Sequence, residues 1–128
     1  MNILLDTCTF LWIVAGSDEL PESARRVFTD PGNEVYLSVA SAWEIIVKHQ
    51  LGKLPLPEPP HDFIRKWRTR HDIDSLPLDE AAVLQLSRLP DYHKDPFDRT
   101  LVCQAIAGGM VILTPDPSIT RYPVRTEW

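Results

Sequence analysis

The sequence predicts an α/β domain in which a parallel sheet carries helices on both of its faces. Short apolar segments typical of buried strands alternate along the chain with longer segments of helical periodicity. At 128 residues and 44% hydrophobic content, the chain is large enough to bury the core that such a domain needs. We therefore expect one domain that spans residues 1–128.

The first predicted strand and helix meet at an acidic residue. Residues 2–5 form an apolar run typical of a strand covered on both faces, and Asp6 follows it directly. Residues 7–14 continue with helical spacing. Pro21 suits the first position of a second helix, which the turn residues 30–33 would end.

The second strand, at residues 35–37, leads into a third helix that Ser38 can cap and Gly52 can end. Apolar side chains recur at helical spacing through this helix: Val39, Ala42, Trp43, Ile46 and Val47. We expect this stripe to pack against the sheet, which puts Glu44 at its border, beside small residues. Alternatively, Glu44 reaches back to Ser41 in a capping box.

A stiff, proline-rich connection at residues 54–60 precedes a basic helix. Between His61 and His71 there are four cations and one carboxylate, on a chain whose formal net charge is -5. The cations are Arg65, Lys66, Arg68 and Arg70. The sequence therefore predicts a basic face on a mildly acidic protein.

The remaining elements also alternate between strand and helix. They are, in order, a strand near residues 73–76, a helix opened by Asp79, a helix from Asp95 to the stop at Gly108 and Gly109, a buried strand at residues 110–113, and an edge strand at residues 122–126.

The cysteines and the first residues exclude several classes of protein. Cys8 and Cys103 form no C-x-x-C pair, so they indicate neither a disulfide framework nor a zinc site, and we expect both to be buried. The start of the chain lacks the basic region and long apolar stretch of a signal peptide. The longest apolar run, residues 10–15, is too short to cross a bilayer. We expect a cytoplasmic protein without a membrane partner.

Acidic residues follow the predicted strands and open the late helix. Asp6 follows the first strand and Asp116 follows the last buried one, so both are expected at the carboxyl edge of a parallel sheet, where function gathers. Asp95 and Asp98 lie on one face of the first turn of a helix. Each of these residues also suits a plain structural role as a helix cap, a turn residue or a first-turn acid.

Acids from separate elements at one edge predict a metal site. Like charges gathered in a cleft repel one another unless they share a cation. Carboxylate oxygens without converging His or Cys residues select Mg²⁺ or Mn²⁺ rather than zinc. Such ions activate water and stabilise the leaving oxygen in phosphodiester hydrolysis, which is therefore the predicted chemistry.

Four segments of the chain carry a family resemblance: LLDTCTFLW, SVASAWEI, HKDPFDRTLVCQA and LTPDP. In this order they resemble the PIN domain, and particularly the VapC-type toxins of type II toxin-antitoxin systems, over essentially the whole chain. The resemblance implies a three-layer α/β/α sandwich whose central parallel sheet has about five strands. It also implies an endoribonuclease that depends on Mg²⁺ or Mn²⁺, forms a homodimer and is neutralised by a cognate antitoxin.

The resemblance assigns roles to individual residues. The acids expected to bind the metal and carry catalysis are Asp6, Glu44, Asp98 and Asp116. Asp95 belongs to the DPFDR form of the motif and ranks below Asp98 as a metal ligand. Thr114 matches the hydroxyl residue of the T-x-D segment, and Arg99 either contacts phosphate or pairs with a neighbouring acid.

Two cationic features have several interpretations. The basic helix binds the RNA backbone, acidic segments of the antitoxin, or only solvent. His93 is either a general base or a loop histidine, and a metal-activated water makes a protein base unnecessary.

Other functions fit parts of the pattern. A haloacid-dehalogenase-like phosphohydrolase also has an Asp after its first strand, but it needs a second Asp where Cys8 stands and a lysine later than Lys94. A receiver-like signalling module also needs a second acid after its first strand and a late lysine, and this chain has neither. A non-catalytic PIN-like RNA-binding module is a further alternative, against which the complete set of acids argues.

Overall fold

The fold is a five-stranded sheet flanked by seven α-helices, seen in a computed structural model that describes residues 1–128. The strands are β1 (Asn2–Leu5), β2 (Glu34–Ser38), β3 (Asp74–Leu76), β4 (Val111–Leu113) and β5 (Thr126–Glu127). The helices are α1 (Thr7–Ala15), α2 (Glu22–Thr29), α3 (Val39–Gln50), α4 (Pro60–Arg70), α5 (Glu80–Gln85), α6 (Pro96–Gly108) and α7 (Pro117–Thr120). A 3₁₀ turn, Leu86–Arg88, continues from α5.

The sheet is entirely parallel, with strand order β3-β2-β1-β4-β5. Both faces of the central strand are buried: Leu5 joins a core cluster with Phe10 of α1 and Phe63 of α4, whereas Leu4 joins a second cluster with Leu101 of α6. This explains why the first strand is a continuous apolar run. The predicted three-layer α/β/α fold is confirmed.

The carboxyl edge of the sheet is where loops and helix starts converge. Asp6 follows β1 and caps α1, Ser38 ends β2 and caps α3, and Thr114 follows β4. Because all strands are parallel, these three residues lie at the same edge.

The predicted inward face of α3 is wrong in part: Ala42 and Ile46 pack against the core as expected, but Val39 and Trp43 do not. Trp43 and Val39 are exposed, at 61% and 40%, and the buried residues of the helix are instead Ala40, Ser41, Glu44 and Ile45. Small residues at the start of α3 allow the helix to approach its neighbours closely, and Glu44 finds polar partners that compensate for its burial. The large apolar side chains of the expected stripe therefore turn outward at its first turns.

Three smaller expectations also need correction. The edge strand is shorter and later than residues 122–126, because the chain turns at Tyr122, whose N–H bonds to the carbonyl of Ile119. The short helix α7, capped by Asp116, was not predicted. Cys8 is exposed, whereas Cys103 is buried as expected.

None of the helices combines the length and the apolar character that crossing a bilayer requires.

Candidate active site

All five acids that the sequence predicted line one cavity of about 160 Å³ at the carboxyl edge of the sheet. Its lining residues are Asp6, Thr7, Cys8, Glu44, Lys48, Asp95, Asp98 and Asp116. They come from the start of α1, from α3, from the start of α6 and from the segment that follows β4. The parallel topology therefore brings together groups that lie up to 110 residues apart in the chain.

Asp6 is both a helix cap and a cavity residue. One carboxylate oxygen accepts the N–H of Thr9 at 2.7 Å, and the other accepts the hydroxyl of Thr114 at 2.5 Å. Burial raises the pKa of Asp6, the bonds from Thr114 and Thr9 lower it, and the charge of Asp116 adds to the rise. The capping role and the site role are thus compatible.

Glu44 is buried, with 5% exposure, and both of its oxygens have partners. Oε1 accepts a hydrogen bond from the hydroxyl of Thr7 at 2.5 Å, and Oε2 accepts one from the ammonium group of Lys48 at 2.5 Å. The bond to Glu44 raises the pKa of Lys48 and so keeps its ammonium charged. The alternative capping box is absent, because Ser38 caps α3 and the Ser41 hydroxyl has no hydrogen-bond partner.

Asp95 and Asp98 share the first turn of α6. Asp95 Oδ1 accepts the backbone N–H groups of Phe97 and Asp98, at 2.9 and 3.0 Å. Burial, followed by the charge of Asp95, raises the pKa of Asp98 to about 6, against a lowering hydrogen bond with His93. This rise reflects first the burial of the carboxylate and then the like charge gathered around it.

Asp116 stays in the cavity although prolines stand on both sides of it. Its Oδ1 accepts the N–H of Ser118 at 2.9 Å and caps α7. The backbone N–H of Asp116 donates to the hydroxyl oxygen of Thr114 at 3.0 Å, and this hydroxyl in turn donates to Asp6. Thr114 therefore links the two strand-end acids.

The donor set of the cavity fits a hard divalent cation. Asp95, Asp98 and Asp116 each have one carboxylate oxygen without a hydrogen bond. No three His, Cys, Asp or Glu side chains converge closely enough to hold one ion together. Mg²⁺ commonly binds one or two carboxylates and keeps several waters, so this spacing suits Mg²⁺ or Mn²⁺ better than a closed zinc site.

The basic residues of α4 do not line the cavity. The helix ends at Arg70, shortly before β3 begins at Asp74, so its basic end lies toward the amino edge of the sheet. Lys66 bonds to Glu58 at 3.4 Å, and the Arg70 guanidinium lies 5.0 Å from the centre of the Trp67 ring. Arg65 and Arg68 complete this face, which is separate from the acids.

Arg99 also points away from the acids. Its Nη1 donates to the carbonyl of Pro90 at 2.9 Å and to the hydroxyl of Tyr122 at 3.0 Å. The carboxylate of Asp91, 79% exposed, is 3.9 Å away. Arg99 thus pairs with one neighbouring acid, Asp91, outside the cavity and holds the loop before α6, while its contact with phosphate stays a prediction.

Sequence reasoning missed or set aside three residues at the acids. Lys48 lies four positions after Glu44, a spacing that makes two residues neighbours on a helix and could have revealed it. Thr7, which donates to Glu44, and His93, which bonds to Asp98, have no comparable signal, because their partners lie on other turns or elements.

Comparisons with known proteins agree with this architecture. The family model of the PIN domain matches residues 3–124. Ribonuclease VapC16 of Mycobacterium tuberculosis is 40% identical over 57 residues, a match that covers 44% of this chain and 40% of that protein. The matched segment thus spans well under half the length of the relative.

Three solved structures have a similar fold. They are VapBC2 of Rickettsia felis bound to a DNA fragment from its promoter, VapBC-1 of nontypeable Haemophilus influenzae, and DNA-bound VapBC of Salmonella typhimurium. Their TM-scores are 0.74, 0.71 and 0.70, at 15%, 15% and 22% identity. Each match covers 99% of this chain, and 98%, 97% and 97% of the respective known chains. At these identities the likeness concerns the fold.

Proposed function

Because this chain belongs to the PIN domain family, we propose that it is a metal-dependent endoribonuclease and the toxin of a toxin-antitoxin pair. The observation that carries the proposal is the cavity that five carboxylates line, contributed by four separate parts of the chain. Such a cluster of carboxylates does not stabilise the folded chain, since the charges repel one another. Because the chain belongs to the PIN domain family, it is neither a haloacid-dehalogenase-like phosphohydrolase nor a receiver-like module.

The residues of the cavity divide into two groups by their hydrogen bonds. Asp98, Asp95 and Asp116 each have a free oxygen, so one or two of them would bind Mg²⁺ or Mn²⁺ directly and the others through water. Asp6 and Glu44 have both oxygens engaged and would act through remaining lone pairs or through water. When bound, the ion stabilises charge on the phosphate and lowers the pKa of an attacking water. Lys48, the cation in the lining, would contact a phosphate oxygen of the RNA.

A cleavage assay tests the proposal. The purified protein, freed of any bound partner, is incubated with structured RNAs in Mg²⁺, in Mn²⁺ or in EDTA. We expect cleavage with either metal and none in EDTA, and a loss of about 100-fold or more in Asp6→Asn and in Asp98→Asn. Asp18→Asn, at an exposed carboxylate outside the cavity, is the matched control. If the two site variants cleave as fast as the parent, the chain is a non-catalytic member of the family.

The toxin role has its own test in cells. Expression of the protein without a partner should arrest bacterial growth, and Asp98→Asn should remove the arrest. An apolar groove of about 330 Å³ between α1, residues 54–57 and α4 would receive an apolar segment of the antitoxin. If Asp98→Asn arrests growth as strongly as the parent protein does, the toxicity has another cause.

Homodimerisation is supported by apolar side chains that α5 and its surroundings expose. Leu78, Val83, Leu84 and Leu86 are 40%, 43%, 62% and 37% exposed, although they belong to one short stretch. Several large apolar side chains left exposed within nine residues favour a protein interface over open solvent. We propose that a second copy of the chain covers it.

A further inference from the structure

A chain of polar side chains runs from Arg99 to the cavity acid Asp98. Arg99 Nη1 donates to the hydroxyl oxygen of Tyr122 at 3.0 Å. The same hydroxyl lies 2.6 Å from Nδ1 of His93, and Nε2 of His93 lies 3.3 Å from Oδ2 of Asp98. Tyr122 is buried at 3% exposure, whereas the side chains of His93 and Asp98 are 21% and 19% exposed, so these contacts are partly shielded from water.

The hydrogen-bond count around the Tyr122 hydroxyl determines which ring nitrogen of His93 carries the proton. The hydroxyl oxygen accepts N–H bonds from Arg99 and from the backbone of His93, at 3.0 and 3.3 Å, which uses both of its lone pairs. Its single hydrogen then has one acceptor, Nδ1 of His93. The hydrogen of the neutral ring is therefore on Nε2, and it donates to Asp98.

This arrangement leaves no free nitrogen for proton transfer. Nδ1 accepts from Tyr122 and Nε2 donates to Asp98, so His93 is not placed as a general base. It resembles instead the outer hydrogen bonds that orient metal-binding side chains.

We propose that His93 is a positioning residue: directed by Tyr122 and Arg99, it holds Oδ2 of Asp98 and thereby leaves Oδ1 free to bind the divalent cation. The inference rests on the proposed function, because it assigns the preparation of one metal ligand to three residues outside the metal shell. It also gives Arg99 a role, since its guanidinium fixes both Tyr122 and the loop carbonyl of His93.

The first test observes the ring itself. Long-range ¹⁵N–¹H NMR of the metal-free protein, at a pH where the ring is neutral, reports which nitrogen of His93 is protonated. We expect the Nε2–H form in the parent protein and a mixture of both forms in Tyr122→Phe, which lacks only the hydroxyl. A dominant Nδ1–H form in the parent protein would overturn the proposal.

The second test measures Mn²⁺ affinity by calorimetry. Tyr122→Phe and His93→Leu should bind Mn²⁺ about 10-fold more weakly than the parent, at a temperature where circular dichroism shows both variants to be folded. His93→Gln should recover part of the affinity, because its amide nitrogen can donate in place of Nε2. Tyr92→Phe is the matched control, since Tyr92 is 46% exposed and its ring packs 5.1 Å from that of Tyr122.

The outcomes distinguish a failure of the positioning role of His93 from a failure of the proposed nuclease function. If the parent binds Mn²⁺ and cleaves RNA, but His93→Leu and Tyr122→Phe bind Mn²⁺ equally well, the positioning role is wrong and the nuclease stands. If the parent neither binds Mn²⁺ nor cleaves RNA, the proposed function fails and this inference fails with it.

Discussion

Asp98 shows how placing one carboxylate in the cavity lowers the stability of the folded chain. Its pKa is raised from 3.8 to about 6 by burial, by Asp95 and by other nearby acids. The folded chain therefore binds this proton more tightly than the unfolded chain does. The resulting stabilisation is complete below about pH 4 and is lost as the pH rises through about 6.

We predict that Asp98→Asn stabilises the metal-free protein at alkaline pH. The free energy of unfolding should rise by roughly 1 to 2 kcal/mol at pH 8, because the amide buries no charge and does not repel Asp95, and should change little near pH 4. Urea unfolding in EDTA, followed by circular dichroism at both pH values, measures this. A variant that is less stable than the parent at pH 8 would show that the carboxylate is stabilised where it lies.

Lys48 is the counterpart of these carboxylates, since it neutralises Glu44. Lys48→Met should lower the free energy of unfolding of the metal-free protein by about 1 kcal/mol, a modest value because the lysine side chain is 46% exposed and screened by water. Saturating Mn²⁺ should narrow the difference, because the ion supplies positive charge. Lys53→Met, at an exposed lysine outside the cavity, is the control. If both variants lose the same free energy of unfolding, the ion pair of Lys48 with Glu44 does not stabilise the fold.

At the scale of elements, the helix starts were predictable and the face of α3 was not. Asp6, Ser38, Asp79 and Asp95 each cap the helix that follows, as expected, because cap chemistry depends on neighbours along the chain. The orientation of α3 depends instead on the distant partner of Glu44, the hydroxyl of Thr7 on α1. Periodicity gives the spacing of a stripe but does not say whether small or large side chains make the contact.

The basic helix α4 allows a prediction that separates binding from chemistry. Arg65→Glu with Arg68→Glu should weaken RNA binding. The slope of the logarithm of the binding constant against the logarithm of salt concentration should fall by the equivalent of roughly one to two phosphate contacts. The kcat should stay unchanged, because α4 does not line the cavity. Filter binding over a salt series, together with single-turnover cleavage, measures both. Arg25→Glu with Arg26→Glu, on the exposed side of α2, makes the same change in charge elsewhere. Unchanged binding in the α4 variant would assign its charges to solvent or to the antitoxin.

At the scale of the whole molecule, the convergence of acids could be predicted because parallel strands end at one edge. Asp6 follows β1 directly and Asp116 comes three positions after the end of β4, so the sequence alone predicts that they lie together. The link between His93 and Tyr122 could not be predicted, since they are 29 residues apart and the chain turns between α7 and β5 to bring them together. Contacts made by irregular segments leave no periodic signal.

The exposed surface of α5 carries a prediction about assembly. Leu84→Glu should convert a dimer to a monomer in light scattering after gel filtration, because a buried charge without a partner disfavours association. Leu51→Glu is matched in exposure, 63% against 62%, and lies outside α5, so it should remain dimeric. A parent protein that is monomeric at micromolar concentration would contradict the proposed homodimer.

The hydroxyl of Thr114 meets the carboxylate of Asp6 across 108 positions of the chain. This hydrogen bond joins the end of β1 to the residue that follows β4, and the two strands are neighbours in the sheet. No local segment of the chain can therefore form the cavity by itself, because its acids meet only when distant strands have paired. Assembly of the cavity is thus a long-range folding event, of the kind that pays its loop-closure entropy before the contact forms.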